Sequence, residues 1–276
     1  MDDYCVLGNP VEHSKSPWIH ARFGQLTGQS IRYGKRLVAL DGFAQALRAF
    51  RVEGGKGCNV TVPFKFEAAP LATTLTARAR LAQACNTLRF DGANDVYADN
   101  TDGVGLVNDI QRNAGVALAG RDLLLVGAGG AAAGVLGPLI EARPRRIVVT
   151  NRTQTRARSL TDRHAALART CGVALAACAP GSVAGSFHVV VNATASSLSG
   201  AAVPVTQSVL AAGSLAVDMM YGPAVAGFMA WAHAGGAVPR DGLGMLVEQA
   251  AEAFLVFRGV RAPSAQVLAE LRASMG

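Results

Sequence analysis

Lysine is scarce in this sequence: only Lys15, Lys35, Lys56 and Lys65 occur among 276 residues. The formal net charge is nevertheless +7, because arginines scattered along the chain supply almost all of the positive charge. The chain has no dense basic run and no alternation of basic and aromatic residues, so we expect no nucleic-acid partner. An excess of positive charge instead suits sites for an anionic cofactor and an acidic substrate.

The sequence also lacks apolar runs long enough to span a membrane, C-x-x-C pairs of cysteines and clusters of metal ligands. Gly, Pro or charged residues interrupt the most apolar stretches, so we expect no membrane span. The five cysteines form no C-x-x-C motif, which predicts reduced thiols. No His/Cys cluster has metal-ligand spacing, so we expect no metal. Residues 1–4 contain no basic segment of the kind that starts a secretory signal, and we expect a cytoplasmic protein.

Short apolar runs alternate with segments of helical spacing along most of the chain. Examples of such runs are Tyr4–Leu7, Ile31–Val38 and Phe187–Val191. This alternation is typical of an α/β fold and predicts parallel sheets. The length of 276 residues exceeds the usual size of one core, which predicts two domains.

The glycine-rich segment after Leu123–Val126 predicts a nucleotide site. Gly127–Ala132 has the pattern G-x-G-x-x-A, with a buried strand before it and a helix after it. In a dinucleotide-binding fold, such glycines make the tight turn and let the backbone approach a pyrophosphate. The start of the helix then offers free N–H groups and a positive dipole end to the phosphates. The alternative is a tight strand–helix turn without a ligand.

The end of the next strand, Arg146–Thr150, indicates which dinucleotide is bound. NAD-selective proteins place an acidic residue there for the ribose 2′-hydroxyl. This chain has Asn151, Arg152 and Thr153, with Arg156 one helical turn later. Because arginine matches a 2′-phosphate in charge and geometry, the sequence predicts NADP. The alternative is that both arginines are solvated surface charges.

Several polar side chains follow predicted strands at the starts of helices. Ser14 and Ser16 could hold a carboxylate, or they could only cap a helix, with Ser16 as the expected cap. Lys65 follows the carboxyl end of a strand and is a candidate proton carrier, although a surface lysine is the alternative. Asp102 could line the same site or only cap its helix. Gln249 could face a ligand or flank the core.

Polar motifs recur at strand ends along nearly the whole chain. They are Gly8–His20, Asn59–Lys65, Asn86-Thr87, Asn100–Gly103, Gly127–Ala131, Asn151–Thr153, Asn192–Thr194 and Asp241–Gln249. In this order they resemble the motifs of the shikimate dehydrogenase family. The resemblance implies two α/β domains with a deep cleft between them. Residues 1–102 would form a substrate-binding domain completed by residues 242–276, and residues 103–241 a Rossmann-type NADP-binding domain.

The same resemblance implies a reaction and a set of site residues. Members of the family reduce 3-dehydroshikimate to shikimate with NADPH on the way to chorismate and aromatic amino acids. Lys65 and Asp102 would be the catalytic pair. The residues around the substrate would be Ser14, Ser16, Thr61, Asn86, Tyr221 and Gln249. The residues that hold NADP would be Gly127, Ala128, Gly129, Gly130, Ala131, Asn151, Arg152, Thr153, Arg156, Thr194, Met219 and Gly242.

The chain departs from the family pattern at Ala21 and in residues 195–200 and 222–227. The last two departures concern the nicotinamide side of the site. A quinate/shikimate dehydrogenase of the same family is the nearest alternative, although those that prefer NAD tend to carry an acid near Asn151. A methylene-tetrahydrofolate dehydrogenase and a non-catalytic NADP-sensing protein are more distant alternatives. We expect a small-molecule substrate and a monomer or homodimer.

Overall fold

The computed structural model describes residues 1–92, 94–197 and 200–275. The chain divides into two compact units. Unit 1 contains Met1–Leu106 and Leu246–Gly276, and unit 2 contains Val107–Met245. Unit 1 is therefore assembled from two separate stretches of the chain, whereas unit 2 is continuous.

Unit 1 is built on a six-stranded sheet in the order β2-β1-β3-β5-β6-β4. Its strands are β1 (Asp2–Gly8), β2 (Ile31–Leu37), β3 (Gly57–Val60), β4 (Thr74–Leu75), β5 (Thr87–Phe90) and β6 (Val96–Asp99). The parallel pairing that we expected is confirmed for β1 with β2 and β3. Strand β5, however, is antiparallel to both β3 and β6. The sheet is therefore mixed, which a short connection such as that between β5 and β6 permits.

Unit 2 contains a six-stranded sheet in the order β12-β11-β10-β7-β8-β9, and all of its pairings are parallel. Its strands are β7 (Asp122–Val126), β8 (Arg146–Thr150), β9 (Ala174–Cys178), β10 (Phe187–Asn192), β11 (Leu210–Asp218) and β12 (Val238–Arg240). The chain proceeds from β7 to one side through β8 and β9, and later to the other side through β10. Such a reversal leaves a crevice at the carboxyl ends of β7 and β10, where doubly wound sheets bind ligands.

Ten α-helices of at least four residues alternate with these strands in the part of the chain that the structure describes. They are α1 (Ser16–Thr27), α2 (Phe43–Val52), α3 (Lys65–Ala68), α4 (Ala77–Ala82), α5 (Asp102–Asn108), α6 (Gly130–Glu141), α7 (Gln154–Cys171), α8 (Ala226–Ala234), α9 (Leu243–Arg258) and α10 (Ser264–Met275). A five-residue π-helical turn, Asp109–Asn113, continues α5. The prediction of two α/β domains is thus confirmed.

Apolar side chains at the predicted helical spacing form the core of unit 1. Phe43, Leu47 and Phe50 of α2 are all buried, as their spacing predicts. The ring of Phe43 stacks on that of Phe64, with 5.1 Å between their centroids. Full burial of such a side chain stabilises the fold by about 1.5–3 kcal/mol. Because Phe64 directly precedes Lys65, this packing anchors the start of α3.

Candidate functional site

Lys65 and Asp102 form an ion pair in unit 1. Lys65 is the first residue of α3, shortly after β3, and Asp102 is the first residue of α5, shortly after β6. The Nζ atom of Lys65 lies 2.5 Å from the Oδ2 atom of Asp102. The two side chains are only 13% and 6% exposed, so water screens this pair weakly. An ammonium group has three donors, and Lys65 therefore keeps donors for a further acceptor.

Asn86 holds the second carboxylate oxygen of Asp102. Its Nδ2 atom donates to the Oδ1 atom of Asp102 at 2.9 Å and to the Oε1 atom of Gln249 at 3.2 Å. The backbone N–H of Thr101 in turn donates to the Oδ1 atom of Asn86 at 2.8 Å. Both oxygens of Asp102 therefore accept hydrogen bonds, one from Lys65 and one from Asn86. The structure thus joins four predicted site residues in one network.

Buried polar residues that the sequence analysis did not single out support this network. Asn59 donates from Nδ2 to the backbone carbonyl of Asn86 and to the Oγ1 atom of Thr87, both at 3.0 Å. Tyr33 donates its hydroxyl to the Oδ1 atom of Asn59 at 2.7 Å. Burial raises the pKa of Tyr33, which keeps it a donor. Asn59 and Thr87 belong to the motifs Asn59–Lys65 and Asn86-Thr87. Their position in buried strands was the available signal, because a buried polar group needs a partner.

The side chains of Ser14, Ser16 and Thr61 do not take part in this network. The N-cap of α1 is Lys15, and Ser16 is the first helical residue, so the expectation that Ser16 is the cap is wrong. The Oγ atom of Ser14 instead accepts from the backbone N–H of Ser16 at 3.3 Å. Within the described part of unit 1, none of the three side chains hydrogen-bonds to Lys65 or Asp102. Pro17 follows in the first turn of α1, where proline is well tolerated.

Tyr221 belongs to unit 2, unlike the other predicted substrate residues. It follows the carboxyl end of β11 and is partly exposed. Gly222, at the start of the departure in residues 222–227, has φ of 78°. Glycine adopts this conformation without steric cost, so Gly222 suits the backbone of this turn.

The glycine-rich loop makes a sharp turn between β7 and α6. Gly127 has φ of 119°, and a Cβ atom there would lie 3.0 Å from the carbonyl oxygen of Ala193. Gly129 is the N-cap of α6, and open space surrounds the position of its missing side chain. The first N–H groups of α6 have no partners within the helix. Gly127–Ala131 therefore form an open, positively polarised cradle that fits a pyrophosphate.

The loop after β8 and the first turn of α7 each present one arginine at the same edge of the sheet. Asn151 donates from Nδ2 to the carbonyl of Thr153 at 3.0 Å, which shapes the turn before α7. Arg152 and Arg156 are exposed, and neither forms an ion pair with any described residue. No acidic side chain occupies residues 151–156. This charge and donor set fits a 2′-phosphate better than a 2′-hydroxyl.

Three further loops of unit 2, after β10, β11 and β12, carry the remaining predicted cofactor residues. Thr194 donates from Oγ1 to the Oδ1 atom of Asn192 at 2.7 Å. The backbone N–H of Met219 donates to the carbonyl of Asn192 at 3.0 Å. A Cβ atom at Gly242 would lie 2.3 Å from the carbonyl oxygen of Met219, so only glycine fits there. Leu198 and Ser199, within the departure at residues 195–200, lie outside the described residues.

The described residues contain neither a membrane-spanning helix nor a cluster of metal ligands. None of the helices there is both long enough and apolar enough to cross a bilayer. Across residues 1–92, 94–197 and 200–275, no three His, Cys, Asp or Glu side chains converge in the way that metal ligands do.

Three family models match successive parts of the chain. Residues 6–88 match the shikimate dehydrogenase substrate binding domain. Residues 109–206 match the shikimate / quinate 5-dehydrogenase family, and residues 242–272 match the shikimate 5′-dehydrogenase C-terminal domain.

Known proteins resemble the chain over almost its full length. The shikimate dehydrogenase (NADP(+)) of Acidovorax sp. (strain JS42) is 66% identical over 99% of this chain and 97% of its own. An Ael1 enzyme from Pseudomonas putida has a TM-score of 0.87 and 41% identity, with 98% of each chain covered. The shikimate 5-dehydrogenase of Thermus thermophilus, in complex with NADP(H) and shikimate, has a TM-score of 0.84 and 28% identity, covering 99% of this chain and all of its own (100%). Sequence, fold and the paired lysine and aspartate agree, and the chain belongs to the shikimate dehydrogenase family.

Proposed function

We propose that this chain is an NADP-dependent shikimate dehydrogenase that interconverts 3-dehydroshikimate and shikimate. The observation that carries the proposal is the ion pair between Lys65 and Asp102 in a buried polar network. The reaction belongs to the route to chorismate and the aromatic amino acids. We expect it to run in the cytoplasm, in a monomer or a homodimer.

Reduction of a ketone needs a hydride on carbon and a proton on oxygen. NADPH supplies the hydride when bound. Lys65 donates a proton from Nζ to the carbonyl oxygen as the alcohol forms, and it accepts that proton in the reverse direction. Asp102 orients the ammonium group through its Oδ2 atom and can accept a hydrogen bond from a substrate hydroxyl. The two groups share one hydrogen bond, so they act as a pair.

The remaining residues of the site divide between substrate and cofactor. We assign the hydroxyls of Ser14 and Ser16 to the substrate carboxylate. The residues assigned to the substrate ring and its hydroxyls are Thr61, Asn86, Tyr221 and Gln249. The residues assigned to the NADP phosphates are Gly127–Ala131, Asn151, Arg152, Thr153 and Arg156. Thr194, Met219 and Gly242 are assigned to the nicotinamide side. In this assignment residues 1–102 and 242–276 form the substrate domain, and residues 103–241 form the NADP domain.

The proposal is tested by following NADPH formation from NADP⁺ with shikimate and with quinate in parallel. We expect turnover of shikimate and much slower turnover of quinate. Absence of shikimate turnover would overturn the proposal. Faster turnover of quinate would indicate a quinate/shikimate dehydrogenase instead.

A lysine variant tests the proposed proton transfer. Lys65→Met retains most of the side-chain volume but removes the ammonium group. We expect kcat to fall by about 10²–10⁴, the usual contribution of acid–base catalysis, with little change in KM for shikimate. Lys56→Met, which removes an exposed lysine of the same unit, is the matched control. A Lys65→Met enzyme with the kcat of this control would exclude Lys65 from the chemistry.

A further inference from the structure

Asp218 is a buried carboxylate with an unusual set of partners. It is fully buried at the end of β11, and no described lysine, arginine or histidine forms an ion pair with it. Its Oδ2 atom accepts from the Nδ2 atom of Asn192 at 2.9 Å and from the Oγ atom of Ser197 at 2.5 Å. Its Oδ1 atom accepts from the backbone N–H of Met220 at 2.8 Å. Three donors therefore surround this carboxylate.

The hydrogen bonds of Asn192 have a direction that Asp218 imposes. The two residues lie side by side on parallel strands β10 and β11, and Asn192 is also fully buried. Because Asp218 accepts, the amide NH₂ of Asn192 must point toward it, and the amide oxygen must point the other way. That oxygen accepts from both the backbone N–H and the hydroxyl of Thr194, at 3.2 and 2.7 Å. The orientation of Asn192 thus depends on Asp218, whereas the hydrogen bonds of Thr194 go to Asn192 and Ser196.

We propose that Asp218 is a positioning residue for the nicotinamide side of the cofactor. It acts through Asn192, whose amide orientation holds the loop of Thr194 in place. The proposal rests on the assignment of Thr194 to the cofactor under the proposed function. Asp218 also holds the loop that follows β11, through the N–H of Met220. One carboxylate therefore sets the positions of both loops at the carboxyl ends of β10 and β11.

This arrangement requires that residue 218 accepts hydrogen bonds on both of its side-chain oxygens. In Asp218→Asn, an amide that still accepts from Met220 must turn its NH₂ group toward Asn192. Two NH₂ groups then face each other unless the amide of Asn192 flips. After that flip, the NH₂ group of Asn192 faces the N–H of Thr194, which loses its acceptor. A packing role alone would not produce this effect, because Asn and Asp have nearly the same size.

Exchange of the side chains at residues 192 and 218 restores the hydrogen bonds that join Thr194, residue 192, residue 218 and Met220. In the double variant Asn192→Asp/Asp218→Asn, the NH₂ group of residue 218 donates to the carboxylate of residue 192. The other carboxylate oxygen accepts from Thr194, and the amide oxygen of residue 218 accepts from Met220. Ser197 can turn its hydroxyl to accept instead of donate. The single variant Asn192→Asp places two carboxylates side by side, with no NH₂ group to donate between them.

The test compares binding of NADPH with binding of 2′,5′-ADP, which lacks the nicotinamide half. We expect Asp218→Asn to raise the Kd for NADPH by about tenfold, as for one buried group left without its partner, with the Kd for 2′,5′-ADP unchanged. We expect the double variant to bind NADPH like the wild type and Asn192→Asp to bind it weakly. In steady state, Asp218→Asn should raise KM for NADP⁺ and leave KM for shikimate unchanged. Asp162→Asn, which removes an exposed carboxylate of unit 2, is the control.

Each outcome decides the proposal. Equal weakening of both ligands by Asp218→Asn, or NADPH affinity equal to that of the control, would overturn it. If Asp218→Asn does not fold, the double variant decides: wild-type NADPH affinity supports the proposal, and loss of folding or of NADPH affinity overturns it. These binding measurements need no shikimate. A wild-type protein that binds NADPH but does not oxidise shikimate would refute the proposed function alone.

Discussion

His20 is a histidine that the fold of unit 1 keeps neutral. It is 1% exposed, and its ring stacks on that of Tyr33, with 4.2 Å between centroids and 7° between planes. Phe254 and Phe257 lie on other sides of it, with centroids 6.1 and 6.0 Å away. Neither ring nitrogen has a hydrogen-bond partner among the described residues. Burial without a compensating charge lowers the pKa of His20 to about 3.

The size of the pH effect follows from this shift. In the unfolded chain a histidine titrates near pH 6.5. The pKa of folded His20 is about 3, so below pH 6.5 the unfolded chain binds a proton that the folded chain does not. The free energy of unfolding therefore decreases as the pH falls from about 6.5 toward about 3. The loss of unfolding free energy that His20 causes is close to zero at pH 7.5, about 2 kcal/mol at pH 5 and about 3 kcal/mol at pH 4.

The assay measures urea unfolding of unit 1 at about pH 7.5 and about pH 5, where most carboxylates are still ionised. The background variant Trp231→Phe leaves Trp18, two residues from His20, as the reporter fluorophore. In this background, His20→Phe keeps an aromatic ring for stacking with Tyr33 but removes the titration. We expect it to lose about 2 kcal/mol less stability between the two pH values than the background protein does.

Two other histidines matter for the interpretation of this assay. Burial also lowers the pKa of His164 in unit 2, so unfolding of the whole chain retains some pH dependence in His20→Phe. The exposed His233 provides the control His233→Phe, which removes one histidine from the surface. An equal pH dependence in His20→Phe and in this control would refute the reasoning, because it would mean that His20 exchanges protons with solvent in the folded state.

Three further substitutions test the cofactor loops and the packing of unit 1. Arg152→Ala should weaken NADP⁺ binding by about 10–100-fold, the loss of a hydrogen bond between charged groups, and leave NAD⁺ binding unchanged in a titration of each cofactor. Arg78→Met should destabilise unit 1 by about 3–5 kcal/mol in urea unfolding. This follows because the Nε and Nη2 atoms of Arg78 donate to the two oxygens of the buried carboxylate of Asp99, at 2.7 and 2.5 Å. Gly242→Ala should lower Tm and NADPH affinity together, since its Cβ atom would collide with the carbonyl of Met219.

Matched substitutions separate these effects from general damage. Arg169→Ala removes an exposed arginine of α7, and equal weakening of NADP⁺ and NAD⁺ by Arg152→Ala would contradict the 2′-phosphate assignment. Arg80→Met removes a neighbouring exposed arginine, and an equal cost from both variants would contradict the role of Asp99. Gly227→Ala adds a methyl group where no atom lies within 4 Å. A Gly242→Ala protein as stable as Gly227→Ala would show that the chain accommodates the collision.

The elements that periodicity and turn residues define were predictable. The strand, glycine turn and helix around Gly127 appear in the order that the pattern predicts, and the helix begins at Gly130. The spacing of Phe43, Leu47 and Phe50 identified the buried face of α2. These features succeed because burial of apolar side chains and the φ angle of a glycine are decided within a few residues.

Features that depend on distant partners were not predictable from a local pattern. Helix α5 changes to a π-helical turn at Asp109, a buried carboxylate that receives two hydrogen bonds from Arg240. Those residues are 131 positions apart. The antiparallel direction of β5 likewise depends on which strands it joins. Local propensity contains no information on either contact, and tertiary packing overrides it.

The same division applies to the site that organises this protein. By itself the sequence determined the turn at Gly127, the arginines after β8 and the order of polar motifs, because each is carried by residues close together in the chain. Only the tertiary structure decided that Lys65 faces Asp102, 37 positions away, and that Asn86 reaches Gln249, 163 positions away. Each of these groups taken alone was equally consistent with a surface lysine, a helix cap or a core amide. Their roles follow from burial next to one another, since a buried charge or amide persists only with a partner.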